Sequence, residues 1–277
     1  MITLTILITI LFEMQKWLDK PRVLFKNYVH QYIKIFTARN FNSQKQIRII
    51  YLFACLPIFI ILMVLKTILS SWPTIYFIIN TLLFMCSVEI LTWKEEAKKT
   101  NIDNKLHFIN TYATHFFAAI FWYIILPSAI GSICYMIIML ISSELKQKGI
   151  DLVVYNIVVD KMLFYANIIP FSILYLFIAI AGDFEEVTHY IVEQFRNLTK
   201  SFYFLEDTLK EAVVIAIGKG KFQIKKLSEQ QDDIEAGVIT QDKFNPQIDA
   251  YIIAILYRAG LFFLLVLTIV SLANTIR

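Results

Sequence analysis

The chain has 277 residues and a net charge of +4. It is 58% hydrophobic and only 17% charged, with a mean hydropathy of +0.62. A soluble domain is closer to half apolar and a quarter charged, so these values exclude an ordinary soluble globular domain. The excess apolar residues lie in long blocks, the mark of a polytopic membrane protein. The expected fold is all-α: a transmembrane helical bundle with an amphipathic, partly polar helical segment between the last two spans. Continuous apolar blocks without period-2 alternation argue against a β-barrel.

The first block is Ile2–Phe12. No basic residue precedes it and no small-residue cleavage site follows, which argues against a cleaved signal peptide. Residue 2 is Ile, so a myristoylation signal is absent. Continued to Trp17 or Leu18 the helix reaches spanning length, with Trp17 at the interface. Residues 13–48 carry eight Lys/Arg against Glu13 and Asp19. The positive-inside rule makes this stretch a cytoplasmic loop.

Further spans are expected at 49–69, 74–93, 108–126, 128–141, 162–181 and 250–272. The short 128–141 block is either the return arm of a hairpin turning at Pro127 or the second half of one kinked helix; proline permits both. With a hairpin, residues 183–249 fall on the outer side; with a kink they fall inside. Pro170 is read as lying near the start of its span, and Gly182 as ending that helix in the usual glycine manner. Asp183, Glu185 and Glu186 are placed to cap the next helix.

Residues 183–249 hold eight Lys/Arg and thirteen Asp/Glu. Val187, Ile191, Phe195, Leu198, Phe202, Leu205 and Leu209 recur at intervals of four and three. This is a helical stripe that lies on lipid, packs on the bundle or receives a protein partner. The tail beyond it is polar, and Pro246 stops structure before the last span.

Chemical motifs are sparse. GKGK at 218–221 lacks the spacing and the hydroxyl of a phosphate loop and reads as a basic turn. His30, His107, His115 and His189 are scattered, without metal-ligand spacing. Cys55, Cys86 and Cys134 sit inside apolar blocks and are expected as buried free thiols. No cofactor, metal or nucleic-acid partner is implied; the lipid bilayer is the implied partner. Ionisable groups in lipid are costly and draw attention to Glu13, which Lys16 could pair one turn on, and to Glu89, Lys66 and His115. For Glu13, Glu89 and Lys66 an interfacial position is the simpler reading.

Four stretches carry a resemblance. They are ITLTILITILFEMQKWLDKP at the start, FFAAIFWYIILPSAIGSICY (116–135), IIPFSILYLFIAIAGDFEE (168–186) and AILYRAGLFFLLVLTIVSLA (254–273). In this order the chain resembles the AmpE-like branch of the CobD/CbiB superfamily of bacterial inner-membrane proteins. Glu13, Phe121, Trp122, Gly131, Tyr135 and Arg258 fall on family positions. The resemblance implies a multi-pass protein of the bacterial inner membrane and a signalling role linked to β-lactamase induction. The synthase branch of the superfamily joins an amine to a corrinoid carboxylate in cobalamin biosynthesis and uses acids at two helix starts. Here Asn110, Ala113 and Thr114 occupy one such stretch, and Leu163 and Phe164 the other, with Asn167 alone fitting the pattern. Such a ligation needs charged groups, so their loss argues against catalysis. The ligand-binding candidates are Glu13, Asn110, His115, Asn167, Asp183 and Arg258, with no catalytic residue assigned. The alternatives are an amide-forming synthase and a small-molecule transporter; no inverted repeat supports the latter.

Overall fold

The computed structural model describes residues 2–14, 19–37, 43–88, 108–126, 129–147, 158–196, 201–218 and 246–276. Every described element is helical, and no strand occurs among the described residues. Four helices are long and apolar enough to cross a membrane: Gln44–Ser71, Phe108–Ile125, Asp160–Ala181 and Tyr251–Ala273. In lipid a helix satisfies its own backbone, which is why long apolar blocks adopt this form. The chain is thus an all-α, multi-pass integral membrane protein. Lys16, Trp17, Glu89, Trp93, Pro127 and the tail 219–245 lie outside the described residues.

Contacts divide the chain into two compact units. The first comprises Met1–Lys94, Tyr112–Pro170 and Lys200–Tyr203. Its helices are α1 (Ile2–Met14), α2 (Asp19–Thr37), α3 (Gln44–Ile68), α4 (Pro73–Ser87), α5 (Ala119–Ile125), α6 (Ile130–Gln147) and the first half of α7 (Asp160–Ala181). A 3-10 turn, Leu69–Ser71, joins α3 to α4, which opens on Pro73, where a missing amide costs nothing. The π-helical stretch Tyr112–Ala118 runs straight into α5. Helix α6 is central, packing on α2, α3, α4 and α5.

Here the basic stretch gains a helix, the place of Pro170 changes, and the choice between hairpin and kinked helix is decided. Residues 19–37, expected within a basic loop, form a 19-residue helix. It buries Val29 and Ile33 and packs on α3, α4 and α6. Pro170 lies well inside α7, not near its start, because the helix begins at Asp160. Finally, the stretches around Pro127 form a hairpin. Trp122 of α5 donates to the Ala166 carbonyl and Tyr135 of α6 donates to Asn167, the very next residue of α7. One kinked helix would separate Trp122 from Tyr135 by about 20 Å at 1.5 Å per residue.

Gly131 lets this hairpin close. A Cβ there would collide with the Trp122 carbonyl oxygen and lie 2.6 Å from its carbon. Backbone atoms cannot rotate out of the way as a side chain can.

The second unit comprises Glu95–Thr111, Phe171–Thr199 and Phe204–Arg277. It contains the second half of α7, α8 (Phe184–Arg196), most of α9 (Phe202–Ile217) and α10 (Pro246–Ile276). The stripe read from the sequence as one helix is carried by two, α8 and α9. Val187, Leu205 and Leu209 are buried, as the stripe requires. Tyr175 donates to the Leu205 carbonyl at 2.7 Å and stacks edge-on with Phe195; Phe177 meets Phe263 likewise. Asp183 caps α8, accepting from the Glu186 amide at 3.2 Å. Gly182 ends α7 for a different reason than expected. Its φ is not positive; a Cβ would lie 2.5 Å from the Ala216 carbonyl oxygen, so glycine serves a close approach.

Candidate functional site

The polar side chains buried inside the first unit form a seam along α6. At its N-terminus the Ala129 amide has no intrahelical acceptor, as at any helix start. Asn80 of α4 supplies one, its Oδ1 accepting at 2.7 Å, while its Nδ2 donates to Tyr123 of α5 at 2.8 Å. Ser87 of α4 donates to Ser132 at 2.8 Å, and Ser132 in turn donates to the Ala129 carbonyl. The Tyr51 and Ser142 hydroxyls lie 2.8 Å apart, joining α3 to α6. Thr5 of α1 meets Thr81 of α4 at 3.4 Å. An unsatisfied group in hydrocarbon costs several kcal/mol, so each pair fixes which helices adjoin.

Pro170 accounts for one of these bonds. Proline has no amide, so the carbonyl four residues earlier, Ala166, loses its helical donor. The Trp122 indole replaces it at 2.9 Å. The neighbouring Asn167 is fully buried; its Oδ1 accepts from Tyr135 at 2.6 Å and its Nδ2 donates to the Leu163 carbonyl at 2.9 Å.

At the other end of α6 the charges gather. Glu144 is buried and lies 2.8 Å from His30 Nε2 of α2. Away from this end, Arg22 of α2 is also buried, donating to the Met85 carbonyl of α4 at 3.2 Å. Lys146 stands 5.8 Å from the Tyr203 ring centroid. Asp160, buried at the start of α7, accepts from the Phe202 amide at 2.8 Å and so tethers the beginning of α9. Tyr32 of α2 donates to the Ala54 carbonyl; burial, then the nearby Cys55, pushes its phenol above the ordinary value. Sequence reading missed Arg22, Glu144 and Asp160, because each lay in a stretch counted as loop charge and only burial distinguishes them; His30 was seen, but not its partner Glu144.

The six sequence candidates have separate settings. Glu13 lies in α1, with only its backbone described. His115 is half-buried within the π-helical stretch, a backbone form found often at functional sites. Asn167 joins the seam. In the second unit Asn110 is buried, Asp183 is the exposed cap of α8, and Arg258 is exposed on α10. An exposed arginine can extend toward a headgroup region. Lys66 is half-buried at the end of α3. The cysteines are free, but half-buried rather than fully enclosed; Cys55 Sγ lies 4.0 Å from the Cys134 carbonyl. Among the described residues no three His, Cys, Asp or Glu are grouped to hold a metal ion.

The seam can fix helix order. No family model, no curated protein and no solved structure matches the chain.

Proposed function

We propose that the chain is an AmpE-like protein of the bacterial inner membrane that acts as a non-catalytic signalling modulator. One observation carries the reading: the positions corresponding to the synthase branch's acids are packing positions. Ala113, Leu163 and Phe164 are buried apolar side chains, and Asn110 and Thr114 are buried, uncharged polar ones. Asn167, the one residue matching the synthase pattern, has both ends of its amide engaged by Tyr135 and Leu163. A group committed to helix packing is poorly placed to bind substrate. A modulator needs a bundle that transmits a change of state, and interlocked hydrogen bonds suit that.

The test is twofold. Purified protein supplied with adenosylcobyric acid and an amine should form no amide above a blank membrane, and a strain lacking the gene should show altered β-lactamase induction. Amide formation above the blank would overturn the reading. Asn167→Ala should lower thermal stability without creating or abolishing any turnover. The π-helical stretch holding His115 favours the rival synthase reading, since π-turns often mark reactive sites. Amide formation abolished by His115→Ala would establish that rival.

A further inference from the structure

Where α3 turns into α4, Met63, Lys66, Thr67, Ser70 and Tyr76 line an open cavity of about 410 Å³. This lies within the range of about 300–1,000 Å³ common for small-ligand sites. We infer that it binds a phospholipid whose headgroup ends in a primary ammonium.

Neither the Lys66 ammonium nor the Tyr76 hydroxyl has a hydrogen-bond or ion-pair partner among the described residues. Together they offer a cation and a neutral O–H to an anionic oxygen, the combination a phosphate takes up.

The acceptors are fixed by the helix. Thr67 donates its hydroxyl proton to the Met63 carbonyl at 2.9 Å, and Ser70 donates to the Thr67 carbonyl at 2.7 Å. With their protons committed, both oxygens present lone pairs only. They suit a group rich in N–H, and a primary ammonium has three. A quaternary ammonium has none. The cavity therefore complements both charges of one headgroup: phosphate at Lys66 and Tyr76, ammonium at Thr67 and Ser70.

The surroundings identify the source as lipid. Trp72, 61% exposed, stands in the same turn, where tryptophan marks the membrane–water boundary. Ile60, Val64, Ile75 and Ile78 are exposed on α3 and α4 and supply apolar walls for acyl chains. The span that ends here, Gln44–Ser71, is the most apolar of the four and has the smallest share of its residues buried in the protein. A soluble phosphate ester would leave these walls unused.

The full chain, purified in detergent, is titrated with dioleoyl phosphatidylethanolamine or dioleoyl phosphatidylcholine, and bound lipid is counted by native mass spectrometry. A charge-assisted hydrogen bond predicts about tenfold tighter binding of the ethanolamine lipid. Lys66→Gln should weaken that lipid about tenfold, and Lys66→Arg should retain it. Thr67→Val with Ser70→Ala should bring the ethanolamine lipid down to the choline lipid's affinity. Equal affinities for the two lipids in the unaltered chain would overturn the proposal, leaving only non-selective annular contact. This arm needs no variant, so a variant that misfolds cannot rescue the idea. Soluble glycerophosphoethanolamine is the third arm. If it displaces the lipid at equal concentration, the headgroup alone is the ligand and the lipid assignment fails.

Discussion

The spans Gln44–Ser71 and Phe108–Ile125 look alike as apolar blocks but live in opposite surroundings. Over its most apolar 18 residues the first has a mean hydropathy of 2.6 with 22% of them buried; the second has 1.3 with 67%. The other two fall between in the same order: 2.4 with 33% for Tyr251–Ala273, and 2.1 with 56% for Asp160–Ala181. Enclosure therefore rises as hydropathy falls, the reverse of the rule for water-soluble proteins. Lipid demands that an outward face be uniformly apolar. A helix enclosed by others can keep Tyr123, because a neighbour, Asn80, supplies a hydrogen-bond partner and lipid cannot.

The sharpest test of this contrast is at Gly131, where enclosure reaches the backbone. Gly131→Ala places a methyl group against the Trp122 carbonyl and should cost about 3 kcal/mol, the upper end for overpacking. Reversible unfolding in mixed micelles measures it. A loss under about 0.5 kcal/mol would mean that α5 and α6 are not closely apposed.

A smaller effect is expected at the bond between Trp122 and Ala166. Trp122→Phe leaves the carbonyl freed by Pro170 without its indole donor, at a cost of about 1–3 kcal/mol. In a Pro170→Ala background the helix regains an amide for that carbonyl, so the same change should cost less. A coupling above about 1 kcal/mol in this double-mutant cycle supports the pairing, and strict additivity refutes it.

The smallest effect belongs to the lipid-facing helix. Ile61 is 62% exposed on α3. Ile61→Ala should shift stability by no more than about 0.5 kcal/mol, as for a surface site. A cost near that of a core truncation, about 2–5 kcal/mol, would show that a second surface covers this face and would break the comparison.

Much of the architecture was legible in the apolar blocks. The four spanning helices sit within a few residues of their expected bounds, and Asp183 caps α8 as its position after Gly182 implied. Helix α2 was not legible, because the eight basic residues spread over 13–48 outweighed the apolar Val29 and Ile33 that it buries. The role of Asn167 was half legible: its polarity within an apolar block flagged it, but its partner Tyr135 lies 32 residues away.

The sequence by itself determined that this chain is helical and crosses a bilayer. Both properties sum over neighbouring residues: a run of apolar side chains, with backbone bonds satisfied inside the same helix. Only the tertiary structure decided which spans are enclosed, that α6 folds back along α5, and that Trp122 answers the gap left by Pro170. It also decided that Arg22, Glu144 and Asp160 are buried and bonded, not solvated loop charges. These features depend on pairs far apart in sequence, Trp122 with Ala166 at a separation of 44 and Arg22 with Met85 at 63. Local hydropathy contains no term for such a pair, and in a membrane the energy of a polar group depends on whether its partner arrives.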